Sequence, residues 1–90
     1  MSIDTRSDVY SLGCVLYHLV TGEAPDLNYN LIKPLRNRNV NISEGLKLII
    51  DKMMEIYPSN RYQNGRELHE AFTNIIKLDE RYILLKKKKE

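Results

Sequence analysis

The sequence predicts an all-α fold of three helices plus one or two short ones. Three stretches repeat apolar residues every three or four positions, each opens on residues able to cap a helix, and no stretch alternates apolar with polar residues as a half-buried strand would. No internal repeat is visible, and 90 residues are enough for one compact unit but not for two.

The first helix is expected over residues 7–21, where Val9, Leu12, Val15, Leu16, Leu19 and Val20 fall at helical spacing. Thr5 with Asp8 three positions on resembles a capping box, and Gly22 is the expected stop. Tyr10, Cys14 and Tyr17 widen the apolar stripe, so this helix expects neighbours on several sides. Residues 23–41 are polar and loop-rich, yet Leu27, Leu31, Ile32 and Leu35 recur at helical spacing. That predicts a short helix between Pro25 and Pro34, ending or kinking near Lys33 because Pro34 has no amide donor. Ser43 caps a second helix, whose series runs through Leu46, Ile49, Ile50, Met53, Met54 and Tyr57 up to Pro58. Asn64, with Glu67 three residues later, opens the third helix, which runs through Leu68, Ala71, Phe72, Ile75 and Ile76 to about Lys77. Residues 79–85 either continue it or form a separate short helix with Tyr82, Ile83, Leu84 and Leu85 as contacts. The chain is thus expected to divide into a folded part, residues 1–77, and a helical extension with a basic tail, residues 78–90.

Hydrophobic residues make up 42% and charged residues 29%, a globular balance without an apolar run long enough to span a bilayer. The formal net charge of +2 is unevenly placed: Lys86, Lys87, Lys88 and Lys89 carry four positive charges and Glu90 one negative, so residues 1–85 hold a net −1. The folded part therefore has no basic, aromatic-interleaved face for nucleic acid, and only the tail could seek polyanions. The single cysteine, Cys14, cannot form an internal disulfide, and no secretory signal precedes the first helix, which suggests a reducing, cytoplasmic setting. Cys14 reads as a small buried apolar residue, with nothing basic beside it in sequence to lower its pKa. His18 and His69 sit on different expected helices without neighbours at ligand spacing, so no metal site is expected.

Two runs carry a more specific signal. The first is Asp4-Thr5-Arg6-Ser7-Asp8-Val9-Tyr10-Ser11-Leu12-Gly13-Cys14-Val15-Leu16-Tyr17, followed by Thr21-Gly22 and Pro25. The second joins Ile42-Ser43-Glu44-Gly45-Leu46, Ile49-Ile50-Asp51-Lys52, Pro58-Ser59-Asn60-Arg61-Tyr62 and Arg66-Glu67-Leu68. In order and separation they resemble the helical C-lobe of eukaryotic-type serine/threonine protein kinases in their bacterial style. The resemblance covers roughly residues 3–76 and implies the helices kinase nomenclature names F, G, H and I.

What the sequence lacks limits what the resemblance implies. It contains no glycine-rich phosphate loop, Val-Ala-Ile-Lys strand, His-Arg-Asp loop, Asp-Phe-Gly metal site or Ala-Pro-Glu segment. Phosphoryl transfer needs those parts to hold phosphates and metal ions and to orient the acceptor hydroxyl. The chain is therefore expected to have no catalytic, cofactor or metal residues of its own and to phosphorylate nothing, with Met1 a truncated or internal start. The parent would use ATP and magnesium on protein substrates. The missing N-terminal part of the kinase would be the natural partner of this segment.

Three positions correspond to structural residues of the family. The aspartate matching Asp8 accepts hydrogen bonds from the catalytic loop, and without that loop Asp8 should simply favour the positive end of the first helix. Gly13 weakens a helix unless another segment approaches closely, and the family places its catalytic region there. The arginine matching Arg61 pairs with the Ala-Pro-Glu glutamate. Without it, Arg61 should turn to solvent or find a substitute such as Glu67 or Asp51. In the family the segment matching residues 26–38 docks proteins. An exposed first helix is expected to drive dimerisation or helix exchange. In membrane-anchored bacterial kinases a basic stretch follows this point, so Lys86 to Lys89 would lie near anionic lipid if the parent has a membrane segment after Glu90. The alternative function is an independent helical interaction module, membrane-proximal through the same lysines.

Overall fold

In the computed structural model, which describes residues 4–24 and 32–89, the chain forms α1 (Thr5–Thr21), α2 (Glu44–Met53) and α3 (Gly65–Lys89), with 3-10 turns at Leu35–Asn37 and Pro58–Asn60. No strand occurs among the described residues, and the fold is all-α as the spacing predicts. Leu27 and Leu31, half of the expected short helix between the prolines, lie outside the described residues. Between Ile32 and Ser43 the turn after Pro34 is the one helical element.

Asp4, rather than Thr5, caps α1. Its backbone is extended and its carboxylate accepts the Arg6 amide at 2.9 Å. That bond, with the Arg6 side chain beside it, holds the Asp4 carboxyl below its ordinary pKa of 3.8. Gly22 ends the helix at φ 74°, a left-handed conformation that strains any other residue, and its amide donates to the His18 carbonyl at 2.8 Å. The buried face of α1 is Val9, Gly13 and Tyr17, whereas Leu12, Val15 and Leu19 remain 44%, 55% and 73% exposed.

In α2 the Ser43 hydroxyl accepts the Leu46 amide, as expected of its cap. The helix stops at Met53, before the apolar series ends. Pro58 explains this: its ring would strike the Met54 carbonyl in a continued helix, and it drives the preceding Tyr57 to extended backbone (φ −89°, ψ 123°). Tyr57 is exposed, so its place in the series is coincidence.

Alternate faces of α2 feed two adjoining cores. Ile49 and Met53 join Val9 and Tyr62, with Leu68, Ala71, Phe72 and Ile75 of α3 packed over them. Ile50 and Met54 join Tyr17 and Leu35, with Ile32, Val40 and Ile42 around them. With buried residues in both, α2 is the shared wall of the fold, and Leu16 of α1 packs against both cores.

The third helix opens on Asn64, whose side-chain oxygen accepts the Glu67 amide at 2.9 Å, while the Glu67 carboxylate reaches back to the Gln63 amide at 2.8 Å. It then runs unbroken through residues 78–89, settling the choice that the sequence left open and making the first lysines of the basic run part of a helix. Twenty-five residues span about 37 Å, and only the first half meets the core. Beyond Ile75, the side chains of Ile76, Leu78, Ile83, Leu84 and Leu85 are exposed, and the molecule measures 53 × 27 × 18 Å.

Candidate docking surface

Arg61 holds two carbonyls of the turn that follows α2 and one from the start of α1. Its Nε donates to the Glu55 carbonyl at 2.7 Å, one terminal nitrogen to Ile56 at 3.2 Å, and the other to Arg6 at 3.2 Å across the chain. The guanidinium also stands 4.6 Å from the Tyr10 ring centroid, a cation–π contact, and the residue is buried. The sequence-based expectation fails here in each of its forms. Arg61 neither faces solvent nor meets Glu67 or Asp51, because Glu67 caps α3 and Asp51 serves another turn. A buried cation is tolerated when its donors are satisfied, and three backbone carbonyls do that.

Asp51 acts on the opposite side of α2. Pro34, at the start of the Leu35–Asn37 turn, makes no side-chain cap, and the Asp51 carboxylate supplies one by accepting the Leu35 amide at 2.6 Å and the Arg36 amide at 3.1 Å. The Arg36 side chain adds a contact at 3.3 Å. From α1, the Tyr17 hydroxyl donates to the Lys33 carbonyl at 3.0 Å and accepts from Arg38 at 2.9 Å. The same guanidinium reaches Glu23 at 2.9 Å, and hydrogen bonds to Tyr17 first and Glu23 second hold the Arg38 pKa above its ordinary value. Lys47 is buried, with its ammonium on the Arg38 carbonyl at 3.1 Å and on Glu44 at 3.0 Å. The described part of the segment that the resemblance identifies with protein docking is therefore pinned from both helices. A cavity of about 130 Å³ lies beside it, lined by Tyr17, Ile32, Pro34, Arg36, Asp51 and Met54 among others.

Sequence reasoning gave Asp51, Arg38 and Lys47 no such roles. A carboxylate seven residues into an amphipathic helix, opposite a proline-led turn, was the available signal for Asp51.

Gly13 does have a close neighbour, but it is α2. A β-carbon there would stand 2.9 Å from Met53 Cβ and 2.8 Å from Met54 Cγ. Whereas Arg61 and Gly13 are buried, Asp8 is exposed in the first turn of α1, where its charge suits the helix dipole. The open face of α1 runs from its level through Leu12, Val15 and Leu19, with Cys14 and His18 bordering a shallow hollow beside them. Partial burial raises the Cys14 thiol pKa above its ordinary value, against weaker opposing effects of a Tyr10 hydrogen bond and the Arg61 charge. Among the described residues no group of three or more His, Cys, Asp and Glu could hold a metal ion, and no helix is long and apolar enough to cross a membrane.

Three helices packed in this order, with an arginine clamp after α2, fit the helical C-lobe that the resemblance implies. The sequence comparisons carry this to a family. The chain is similar to the serine/threonine-protein kinase PknB of Mycobacterium leprae, at 40% identity over 78 residues covering 74% of this chain and 12% of that protein. A protein of Clostridium perfringens described as a probable serine/threonine-protein kinase is 40% identical over 77 residues, 72% of this chain and 11% of its own length. A histidine protein kinase of Candida albicans is 34% identical over an alignment of 93 positions, 90% of this chain and 4% of that protein. No protein-family model matches. The chain is a helical C-lobe segment of the serine/threonine protein kinase family, and it spans about an eighth of the length of the PknB proteins it matches.

Proposed function

We propose that this segment is the scaffold and protein-docking part of a protein kinase whose other part holds ATP and magnesium and transfers phosphate to serine or threonine hydroxyls. The observation that carries this reading is the second apolar face of α1. Leu12, Val15 and Leu19 stand exposed opposite the buried stripe, with the Asp8 carboxylate at the same end as the helix N-terminus. A helix apolar on both sides is built to be covered on both sides. The aspartate at this position is the one that, in the family, receives the catalytic loop.

By itself the chain binds no nucleotide and transfers no phosphate. Isothermal calorimetry with magnesium and ATP should give no binding heat, and radiolabelled ATP should leave the chain and added protein substrates unlabelled. Saturable magnesium-dependent binding overturns the reading. The positive arm is complementation: a separately produced N-terminal kinase half should bind this chain, and Leu12→Asp with Leu19→Asp should abolish that binding. Without that half the same face pairs two copies of the chain, which light scattering reads as a dimer sensitive to the same substitutions.

A second reading, an independent interaction module, draws support from Arg61. Its donors are satisfied inside the chain, so the fold does not need the absent glutamate to neutralise it. The two readings part at complementation, since a module should ignore the N-terminal half.

A further inference from the structure

The cavity of about 130 Å³ at the end of α2 joins an apolar wall to a negative charge that nothing in the fold answers. Ile32, Pro34, Met54 and Ile56 supply the wall, and Ile56 is 45% exposed. Arg36, Asp51 and Glu55 are its charged lining. The first two cancel, since the Arg36 guanidinium lies 3.3 Å from the Asp51 carboxylate, which also accepts the Leu35 and Arg36 amides. The Glu55 side chain is exposed and has no ion-pair partner among the described residues. Because Asp51 lies in the last turn of α2 and Met54 to Ile56 follow its end, the helix dipole adds negative potential here. The neighbouring cations are engaged elsewhere or stand outside. Lys52 is 4.7 Å from the Tyr62 ring centroid, Arg61 is held by the Glu55, Ile56 and Arg6 carbonyls, and exposed Lys33 does not line the cavity.

We propose that this cavity is a docking pocket for a lysine side chain of a partner protein, which deepens the docking part of the function proposed above and rests on it. A lysine lays its aliphatic stem along apolar surface and keeps its ammonium at the wet edge. The stem meets Ile32, Pro34, Met54 and Ile56, and the ammonium meets Glu55 at the negative end of α2. Size also selects. A cavity of about 150 Å³ accommodates benzene, so one of about 130 Å³ suits the four-carbon stem of lysine. The planar guanidinium of arginine is bulkier and asks for a fork of acceptors that a single free carboxylate at the edge supplies less well. An acidic side chain would meet Glu55 as like charge, and a purely apolar one would leave that charge unanswered.

The test titrates the full chain, labelled at isoleucine and methionine methyl groups, with a capped alanine peptide carrying one central lysine. Nuclear magnetic resonance should show saturable shifts at Ile32, Met54 and Ile56, with an affinity on the order of millimolar for so small a probe. Norleucine in place of lysine keeps the stem and removes the charge, and should weaken binding about threefold or more, as should Glu55→Gln in the chain. Glu70→Gln removes an exposed carboxylate on α3 and should change nothing. Ile56→Ala should weaken the lysine and norleucine peptides alike, because it removes apolar wall rather than charge. Glu55, Ile56 and Glu70 are all exposed, so circular dichroism should report the same helix content in every variant. No saturable shift at these methyl groups, equal binding of the norleucine peptide, or an equal loss in Glu70→Gln overturns the proposal. So does self-association without peptide that Glu55→Gln removes, since the occupant would then be a second copy. Complementation through Leu12 and Leu19 is read on α1, so a failed pocket and a failed kinase scaffold give different results.

Discussion

The two sides of α2 meet their neighbours differently. Toward α1 the contact is made close to the backbone, with Gly13 lying under the Met53 β-carbon and Arg61 tying the Arg6 carbonyl of α1 to those of Glu55 and Ile56. Toward α3 it is made by side-chain tips, with the end of Ile75 reaching over Gly45. Each side has a glycine, but only one of them faces atoms that cannot move. The α1 junction should therefore be intolerant and the α3 junction forgiving, and the substitutions below separate the two.

The largest effect is expected at Arg61. Replacing it with leucine keeps bulk beside Tyr10 but strands three carbonyls, each of which costs roughly 1 to 3 kcal/mol when buried without a donor. Partial rehydration at the rim lowers the sum, and a loss of about 3 kcal/mol is expected in urea denaturation. Arg61→Lys restores a single donor nitrogen in place of a fork of three and should recover only part of that. A loss below about 0.5 kcal/mol for the leucine variant would remove the contrast between the junctions.

Gly13→Ala comes next. Alanine improves a helix interior by about 1 kcal/mol over glycine, so an open site would be stabilised. Here the new methyl group meets Met53 Cβ at 2.9 Å, and that atom shifts only if α2 shifts. Overpacking of this kind costs about 1 to 3 kcal/mol, so a net loss of about 1 kcal/mol is expected from thermal denaturation, and a raised melting temperature would show that α2 yields.

These junctions also mark where the sequence was readable. The caps Ser43, Asn64 with Glu67, and the stop Gly22 were legible because each acts on its own helix, within a few residues. The apolar stripes gave the helices and the interior for the same local reason. Arg61 and Asp51 were not legible, since their partners are backbone groups, which every residue displays alike. The early end of α2 was hidden because Tyr57 happened to fit the helical period, although Pro58 four residues beyond Met54 already limited how far that helix could run. Periodicity marked α1 as broadly apolar but could not say which face the rest of this chain covers. That Val9, Gly13 and Tyr17 face inward while Leu12, Val15 and Leu19 face out follows from where α2 lies.

A smaller effect, local to the start of α1, has a definite pH signature. The Asp4 carboxyl is shifted down by its bond to the Arg6 amide, so the folded state binds a proton more weakly than the unfolded state does. Its stabilisation is fully present above the ordinary value of 3.8 and disappears as pH falls through the lower folded value. The stability difference between the parent chain and Asp4→Ala should therefore be constant near neutrality and shrink in this acid range. A difference independent of pH there would mean that the carboxylate is not the capping group.

The smallest effect should be Gly45→Ala, although its predicted contact is the tighter of the two glycine contacts. The new methyl group overlaps the terminal Cδ1 of Ile75, while Ile75 Cγ1 and Cγ2 lie at 3.4 and 3.7 Å, in ordinary contact. Cδ1 is the free end of a side chain, so one rotation about the Ile75 Cβ–Cγ1 bond clears the overlap, at about 0.5 to 1.5 kcal/mol if it leaves a preferred rotamer. The helix gains up to about 1 kcal/mol from replacing glycine in α2, and the two terms nearly cancel. The net change should lie within about 0.5 kcal/mol, and Gly45→Ala combined with Ile75→Val, which removes the clashing methyl, should be additive with Ile75→Val alone plus the helix gain. A loss as large as that at Gly13 would mean that α3, too, is held at the level of the backbone, and the distinction between a rigid and a yielding side of α2 would go with it.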